Sequence, residues 1–415
     1  MTDPTQRSGT TIAVLLSAMM FLQFFIWGAW YVTMGPYMSA SNMGDSIAWA
    51  YTVGPIAAIV SPFFLGMIAD RFFATERVLG TMHLLGGLFL CAAPWAATQS
   101  QLLFVLAVLA HMLCYMPTLG LTSSLAMHNM TNAEKQFPLI RVFGTIGWIV
   151  ANWVISALAF DTSPNMFYVA GGSGLMLGVF SFLLPHTPAP AKGSAFSVRN
   201  ALGLDSLVLL RDRSFAVFCV CSFLVCIPLA AYYAFAGQFA GEMGFDKIAR
   251  TMSFGQISEI LFMLVMPLCF ARLGVKWMLT VGMLAWVVRY GLFAGAADDQ
   301  IKWMVLGGIV LHGICYDFFF VTGQIYVDNK AGPKIRGQAQ GFFVLLTQGL
   351  GMLIGAQLIG LLVKRYTTAG VEGGPSVIDW NSVWMFPAGF ALAVLVVFVL
   401  FFRDRPQPAE PSPES

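Results

Sequence analysis

The chain has 415 residues, of which 58% are hydrophobic and only 10% are charged. This apolar fraction exceeds what one soluble core of this length would bury, which excludes an ordinary soluble domain. The formal net charge of +2, from basic residues scattered over many loops, excludes an extended nucleic-acid-binding surface. We therefore interpret the chain as an all-α membrane protein that lies in a lipid bilayer and has no nucleic-acid partner.

Twelve apolar stretches of about 20 residues are each long enough to cross the hydrocarbon core of a bilayer. We number them spans 1 to 12. The first six are 12–34, 47–68, 79–97, 102–125, 140–160 and 168–184. The second six are 215–239, 252–270, 277–296, 303–327, 341–363 and 383–402. Because span 1 is longer than the apolar core of a signal peptide, we expect it to be retained.

The longest polar interruption divides these spans into two sets of six. It is a linker at 186–214 between an amino-terminal half, 1–185, and a carboxy-terminal half, 215–403. An amphipathic segment lies within it at 202–210, and the tail, 404–415, is predicted to be disordered. Two six-helix bundles joined in this way are typical of the major facilitator superfamily, whose substrate site lies between the halves.

The distribution of basic residues predicts the orientation of the spans. When loops are assigned alternately to the two sides, 15 of the 22 Lys and Arg residues fall on the side of the amino terminus and 5 on the other. Basic loops face the cytoplasm, so both termini are predicted to be cytoplasmic.

The loop after span 2, Gly66-Met-Ile-Ala-Asp70-Arg71, is similar to the start of the signature loop of the major facilitator superfamily, but Phe72-Phe73-Ala74 follows in place of the expected glycine and basic residues. A narrower resemblance is carried by segments in both halves, 21–30, 115–121, 137–147, 256–259, 286–289, 316–319 and 335–341. These segments resemble the nucleoside:proton symporters of this superfamily. This resemblance implies import of nucleosides with protons, by a monomer in a bacterial inner membrane.

Four charges lie within the spans, Arg141, Glu259, Arg289 and Asp317. Each costs roughly 2.5 to 3.5 kcal/mol at the centre of a membrane helix, so each needs a partner, a water-filled cavity or a function.

Span 5 carries a polar stripe. Arg141, Thr145 and Trp148 are spaced so that they share one helix face. In the resembling family this stripe lines the substrate cavity, where a ring face and hydrogen-bond donors suit a nucleoside. We therefore expect all three to bind substrate. The alternative is that Arg141 snorkels to the cytoplasmic surface and Trp148 packs against lipid.

Span 8 brings an amide and a carboxyl together, because Gln256 and Glu259 lie three residues apart. We expect both to bind substrate. Glu259 is also a candidate for proton coupling, since burial in a medium of low dielectric favours the neutral form of a carboxyl. The alternative is a permanent ion pair with Arg289 of span 9, predicted to be the structural charge partner.

On span 10, His312 and Tyr316 share a face, and both are predicted to contact substrate. Asp317 is rotated about 100° from Tyr316 in a regular α-helix. It is the second candidate for proton coupling, and the sequence does not choose between it and Glu259. The alternative for His312 is a neutral packing residue.

Spans 1 and 7 raise two further questions. Trp27, Trp30 and Gln23 in span 1 either reach the cavity or, for the tryptophans, anchor the span at the membrane interface. In span 7, residues 228–233 are small or aromatic where the resembling family has amide side chains. Tyr233 is predicted to bind substrate, and if Tyr233, Gln238 and His312 replace the missing amides, the cavity still suits a nucleoside. This departure leaves a different nucleobase or a sugar-like solute open.

The chain has no motif for an enzyme or a cofactor. All seven cysteines fall inside spans without a CxxC pair, and a phosphate-binding Gly-Lys-Ser/Thr loop and an HExxH motif are both absent from the sequence. We expect secondary transport by alternating access. The alternatives are a facilitator, an efflux carrier of another small polar solute, or a non-transporting membrane sensor.

Overall fold

The structure, a computed structural model, describes residues 9–64, 72–189, 197–368 and 376–403. Gly66, Asp70 and Arg71 of the predicted signature loop and the tail 404–415 lie outside the described residues.

The amino-terminal half contains six spans. Span 1 is divided into two helices, and the others are single helices that extend beyond most of the predicted apolar stretches. In chain order the helices are Gly9–Gly28, Met34–Ala40, Ile47–Phe64, Thr75–Gln99, Gln101–His128, Ala133–Ala157 and Asn165–Ser181. Polar caps set several of these starts: the Ser100 hydroxyl accepts from the Leu103 amide, and the Asn132 side chain accepts from the Lys135 amide.

The carboxy-terminal half begins with span 7, Arg213–Glu242. The helical segment Ile248–Ala297 has 50 residues, which is about 75 Å of straight helix and more than twice the roughly 30 Å thickness of the hydrocarbon core. It breaks at Gly274, where φ is 66° and ψ is 177°. This left-handed φ suits glycine, and the break separates span 8 from span 9.

A second glycine separates spans 10 and 11 in the same way. Gly332 has a φ of 66° and a ψ of 172° inside the segment Thr322–Val344. Both spans contain a π-helical turn. The remaining elements of the two spans and span 12 are Lys302–Val310, His312–Cys315, Tyr316–Val321, Leu345–Gly351, Met352–Arg365 and Trp380–Phe401.

Ten helical segments of the described residues are long and apolar enough to cross a membrane. Dividing Ile248–Ala297 at Gly274 adds one span, and Asn165–Ser181, with 17 residues, adds another. The helices therefore account for all twelve predicted spans. The described strands are two residues each, Thr367–Thr368 paired antiparallel with Val377–Ile378 between spans 11 and 12.

Glycines bring spans 1 and 5 into close contact. A Cβ on Gly147 would lie 2.2 Å from the Phe21 carbonyl oxygen, and one on Gly28 would lie 3.0 Å from the Trp148 Cα. Small residues let membrane helices approach closely, since lipid leaves packing as the main attraction between them. This contact holds Trp148 of span 5 beside span 1.

The two halves meet at the end of the bundle remote from the chain termini. The Trp153 Nε1 donates to the Ser253 hydroxyl at 3.0 Å, and the Asp161 carboxylate accepts from the Ala249 amide at 2.7 Å. The Gln357 Nε2 of span 11 also donates to the Thr52 hydroxyl of span 2 at 2.6 Å, towards the same end. The bundle is therefore closed there.

The linker packs on the carboxy-terminal half. The amphipathic segment predicted at 202–210 is a short 3-10 helix, Leu204–Arg211. Asp205 in this helix accepts from the Gln338 side chain at 3.0 Å and pairs with Arg199. Hydrogen bonds from Arg199 and Gln338 hold the pKa of the exposed Asp205 carboxyl below its usual value. The described part of the linker thus contacts the loop between spans 10 and 11.

Candidate functional site

A cavity lies between the two halves. Tyr31 and Trp148 line it from the amino-terminal half, and Tyr232, Tyr233 and Gln256 line it from the carboxy-terminal half. The space that these side chains leave for the centre of a water-sized sphere is only about 10 Å³, roughly the room of one water molecule, so a nucleoside would enter only if the side chains moved apart. The structure thus brings together Trp148, Tyr233 and Gln256, which the sequence predicted as substrate contacts on three different spans.

Arg141 and Thr145 are half-buried on span 5. The Arg141 Cζ lies 4.2 Å from the centre of the Phe24 ring of span 1. The guanidinium therefore lies inside the bundle, which disagrees with the snorkelling alternative.

Trp148 packs inside the protein as well. Its ring contacts the Trp27 ring edge to face, with centroids 5.5 Å apart. The indole Nε1 is buried and has no hydrogen-bond partner among the described residues. A buried donor without a partner is costly unless a ligand or water accepts its hydrogen bond. Trp148 thus presents both a ring face and a free donor at the cavity.

On span 8, Gln256 lines the cavity and Glu259 faces His312 of span 10. The Gln256 Oε1 is buried without a hydrogen-bond partner in the described part of the chain. The nearest ionisable partner of Glu259 is His312, whose Nε2 lies 3.9 Å from the Glu259 Oε2. This distance is too long for a hydrogen bond. The carboxyl, with a side-chain exposure of 15%, is therefore available to another partner.

His312 is held between two tyrosine rings. It stacks on Tyr232 at a centroid distance of 5.4 Å and on Tyr316 at 6.0 Å. Its Nδ1 is buried and has no partner among the described residues. Gly255 leaves the space for the His312 Cβ, since a Cβ at residue 255 would lie 3.0 Å from it. The ring thus has a fixed plane and a buried Nδ1 that is available to a ligand.

Asp317 lies on the π-helical turn Tyr316–Val321 of span 10. Such turns are rare and often occur at functional sites. The Asp317 side chain is fully buried, and within the described residues neither carboxyl oxygen has a hydrogen-bond partner. Asp317 is therefore a buried carboxyl that no described side chain stabilises by a hydrogen bond.

Arg289 is fully buried on span 9 and makes different contacts from those expected. Its Nε donates to the Gly308 carbonyl oxygen at 3.0 Å, and its Cζ lies 4.2 Å from the centre of the Tyr232 ring. Its two Nη atoms have no hydrogen-bond partner in the described residues. Neither Glu259 nor Asp317 forms a salt bridge with it there. The charge-partner role of Arg289 stays a prediction.

The tryptophans of span 1 face inward. Trp30 is fully buried against Phe167 and His111, and Trp27 packs on Trp148. The interface-anchor alternative is therefore wrong for both. Gln23 is also buried, but it bonds to other side chains and does not line the cavity.

Sequence reasoning missed five of the residues that line the cavity, which are Tyr31, Val32, Tyr232, Gly237 and Met252. Tyr31 follows Trp27 by one helical turn, which places it on the same face of span 1. Tyr232 is adjacent to Tyr233 and was available from the same sequence segment. The described residues include no group of three or more His, Cys, Asp or Glu side chains that could hold a metal ion.

Comparisons with known proteins agree with one another. Residues 10–407 match the family model described as nucleoside H⁺ symporter. The putative nucleoside transporter YegT of Escherichia coli (strain K12) is 40% identical over 399 residues, 94% of this chain and 93% of that protein. The nucleoside permease NupG of the same strain is 31% identical over 407 residues, 94% and 96% of the two chains. A crystal structure of the nucleoside transporter NupG superimposes with a TM-score of 0.84 at 30% identity, covering 95% of this chain and 100% of that one.

Proposed function

This chain belongs to the nucleoside H⁺ symporter family, and from that premise we propose that the cavity between its halves binds the nucleoside while Glu259 and Asp317 exchange the protons. The protein is a secondary active transporter of the major facilitator superfamily that imports nucleosides by proton symport, and it is not an enzyme. The observation that carries the residue assignment is the set of buried, unpartnered polar atoms around one cavity.

The proposed substrate contacts match the groups that a nucleoside offers. The Trp148 indole and the Tyr233 ring supply aromatic surface for the base. The Trp148 Nε1 is a donor, and the Gln256 Oε1 is an acceptor. Hydroxyl and amide groups of a nucleoside would satisfy both atoms. A solute without hydroxyl or amide groups would leave the Trp148 Nε1 and the Gln256 Oε1 without hydrogen bonds. The free-energy cost of these two unpaired atoms would select against such a solute.

His312, Tyr316, Arg141 and Thr145 complete the proposed site. The buried Nδ1 of His312 can donate to or accept from a ribose hydroxyl, depending on its tautomer. Tyr316 stacks on His312 and orients it. Arg141 and Thr145 precede Trp148 on span 5 and are proposed to add donors from the amino-terminal half.

Proton coupling is proposed to work through neutralisation of buried carboxyls. An ionised carboxylate in a low-dielectric site is costly when its oxygens have no partner. Glu259 lies three residues after Gln256, which lines the cavity, and Asp317 lies one residue beyond Tyr316 on a buried turn. Protonation removes the charge and therefore lowers the cost of moving these groups between the two access states. A substrate bound beside Glu259 would contact this carboxyl, so substrate binding and protonation of Glu259 would affect each other.

We propose that the structure represents the state open to the cytoplasm. If both termini are cytoplasmic, as the distribution of basic residues indicates, then the closed end faces outward. Opening it would separate contacts such as that between Trp153 and Ser253. The halves would rock about the cavity, as in other transporters of this superfamily. We further propose a bacterial inner membrane as the location and a monomer as the working unit.

The test is uptake of radiolabelled uridine and adenosine into proteoliposomes, with and without an inward proton gradient. We expect wild-type uptake that a protonophore abolishes. Glu259→Gln should lose gradient-driven uptake, because it keeps the shape of the side chain but cannot exchange a proton. Asp299→Asn, which removes an exposed loop carboxyl, is the matched control and should transport normally. Gradient-independent uptake would contradict coupling, and absence of nucleoside uptake by folded protein would contradict the nucleoside site.

A further inference from the structure

A buried polar network joins spans 1, 3 and 4 behind the cavity wall. The Gln23 Nε2 donates to the Thr118 hydroxyl at 2.7 Å, and the Gln23 Oε1 lies 2.7 Å from the His83 Nε2. The Tyr115 hydroxyl donates to the Gln23 carbonyl oxygen at 2.6 Å. All four residues are at most 3% exposed. The nucleoside contacts proposed above use none of these polar groups.

The direction of each hydrogen bond follows from the donors available. Thr118 has a single hydroxyl hydrogen, which it donates to the Tyr115 carbonyl oxygen at 2.6 Å. Its oxygen must therefore accept from Gln23, which fixes the Nε2 of the amide towards Thr118. The Oε1 then faces His83, so the His83 Nε2 carries a hydrogen. The Gln23 amide thus has one orientation, and both of its ends are bonded.

Aromatic contacts connect this network to the cavity. The Tyr115 ring lies 5.6 Å from the Trp27 ring, and the Trp27 ring lies 5.5 Å from the Trp148 ring, in both cases edge to face. Trp148 lines the cavity. The hydrogen bond from Tyr115 to span 1 therefore fixes the ring on which Trp27 rests, and Trp27 in turn fixes Trp148.

We propose that Gln23 is a positioning residue for nucleoside binding. Together with His83 and Thr118 it holds the aromatic series Tyr115, Trp27 and Trp148, and this series sets the position of the indole that the substrate stacks on. The proposal rests on the proposed nucleoside site. Gln23 itself touches no substrate, so its replacement should weaken binding and leave the translocation step intact.

Two matched pairs of substitutions test the proposal. Gln23→Met keeps the length of the side chain and removes both hydrogen bonds of the amide, whereas Gln23→Asn keeps an amide. Thr118→Val breaks the network from span 4. Thr33→Val is its control, because Thr33 is equally buried in the same half and bonds to Met166 outside the network.

The measurements are KM and Vmax of uridine uptake in proteoliposomes and the equilibrium Kd of uridine without a proton gradient. For Gln23→Met and Thr118→Val we expect KM and Kd to rise about tenfold, equivalent to about 1.4 kcal/mol of binding free energy, with Vmax changed less than twofold. Gln23→Asn should recover part of the affinity. Thr33→Val should keep both constants within twofold of wild type.

Three results would overturn the proposal. One is unchanged KM and Kd in both network variants; another is a rise that Thr33→Val shares equally, which would mean a general loss of packing. A fall in Vmax with constant KM would assign the network to the conformational change. If wild-type protein bound and transported no nucleoside, both this proposal and the proposed function would fail, whereas normal wild-type transport with unaffected variants would reject only the positioning role.

Discussion

Two sets of buried polar side chains, one in each half, differ in whether their polar atoms have hydrogen-bond partners. In the amino-terminal half, the Gln23 amide, the Thr118 hydroxyl and the Tyr115 hydroxyl all have hydrogen-bond partners within the same half. In the carboxy-terminal half, both oxygens of Asp317 and both Nη atoms of Arg289 are buried without partners among the described residues. The network around Gln23 is therefore satisfied internally, whereas these two buried charges of the carboxy-terminal half are not; buried donors without a partner occur in both halves of the described residues, as at the Trp148 Nε1.

This difference in hydrogen bonding suggests different roles for the network around Gln23 and for the buried charges Asp317 and Arg289. A satisfied polar network has a unique geometry and is costly to disturb, which suits a surface that positions substrate. Unsatisfied buried charges are costly as they stand, and a proton, a water molecule or a substrate group lowers that cost. We therefore assign changes of protonation to the carboxy-terminal half and substrate positioning mainly to the amino-terminal half.

The largest expected effect comes from Asp317→Asn. Asparagine imitates the protonated carboxyl, so the variant should remain permanently in the neutral form. We expect loss of nucleoside accumulation against a gradient, by about tenfold or more given the usual contribution of a proton-transfer group, while exchange of internal for external nucleoside continues. Uptake and exchange assays in the same proteoliposomes measure the two activities. Normal accumulation by the variant would exclude Asp317 from coupling.

A second prediction contrasts the stability of the halves. Arg289→Met should raise the midpoint of thermal unfolding in detergent by a few degrees while it lowers transport. An unpaired buried charge costs several kcal/mol, which exceeds the roughly 1.5 to 3 kcal/mol of a charged hydrogen bond such as that to Gly308.

Gln23→Met is the counterpart in the amino-terminal half and should lower the same midpoint, because it leaves satisfied partners without their hydrogen bonds. If Arg289→Met and Gln23→Met were destabilising to the same degree, then the contrast between the unpartnered charge of Arg289 and the hydrogen-bonded network around Gln23 would be wrong.

The smallest expected effect concerns the contact between the halves. The Asp161 carboxylate accepts from the Ser156 hydroxyl at 2.7 Å and from the Ala249 amide, in the first turn of span 8. A carboxylate at a helix amino terminus contributes about 0.3 to 1 kcal/mol. Asp161→Asn should therefore shift the protein towards the state open at this end by about threefold.

The readout is the labelling rate of Val32→Cys by a membrane-impermeant maleimide added outside. The control is Asp379→Asn. Asp379 lies at the same end and accepts from the Ser382 amide at the start of span 12, so this cap is within the carboxy-terminal half and not between the halves. Hydrogen bonds from Ser382 keep the pKa of the Asp379 carboxyl below its usual value, so it stays ionised near neutral pH. Equal labelling of the two variants would contradict a role for Asp161 in closure.

Parts of the candidate site were predictable because they depend on local spacing. The shared face of Arg141, Thr145 and Trp148 follows from the helical period, and so does the pairing of Gln256 with Glu259. The direction in which Asp317 faces could not be predicted as well, because the sequence predicts a regular α-helix where the structure has a π-helical turn. That turn depends on packing against neighbouring spans and has no simple composition signal.

The sequence by itself determined the twelve spans, the division into two halves and the family. These properties follow from hydrophobic length against bilayer thickness and from motifs along the chain, which are all local in sequence. Only the tertiary structure decided that Trp27 and Trp30 face inward, that Gln23 bonds to His83 and Thr118, and that Arg289 contacts Gly308 and Tyr232. The physical reason is that hydropathy specifies which segments enter the membrane, whereas the partner of a buried polar group is set by close packing between residues on different spans.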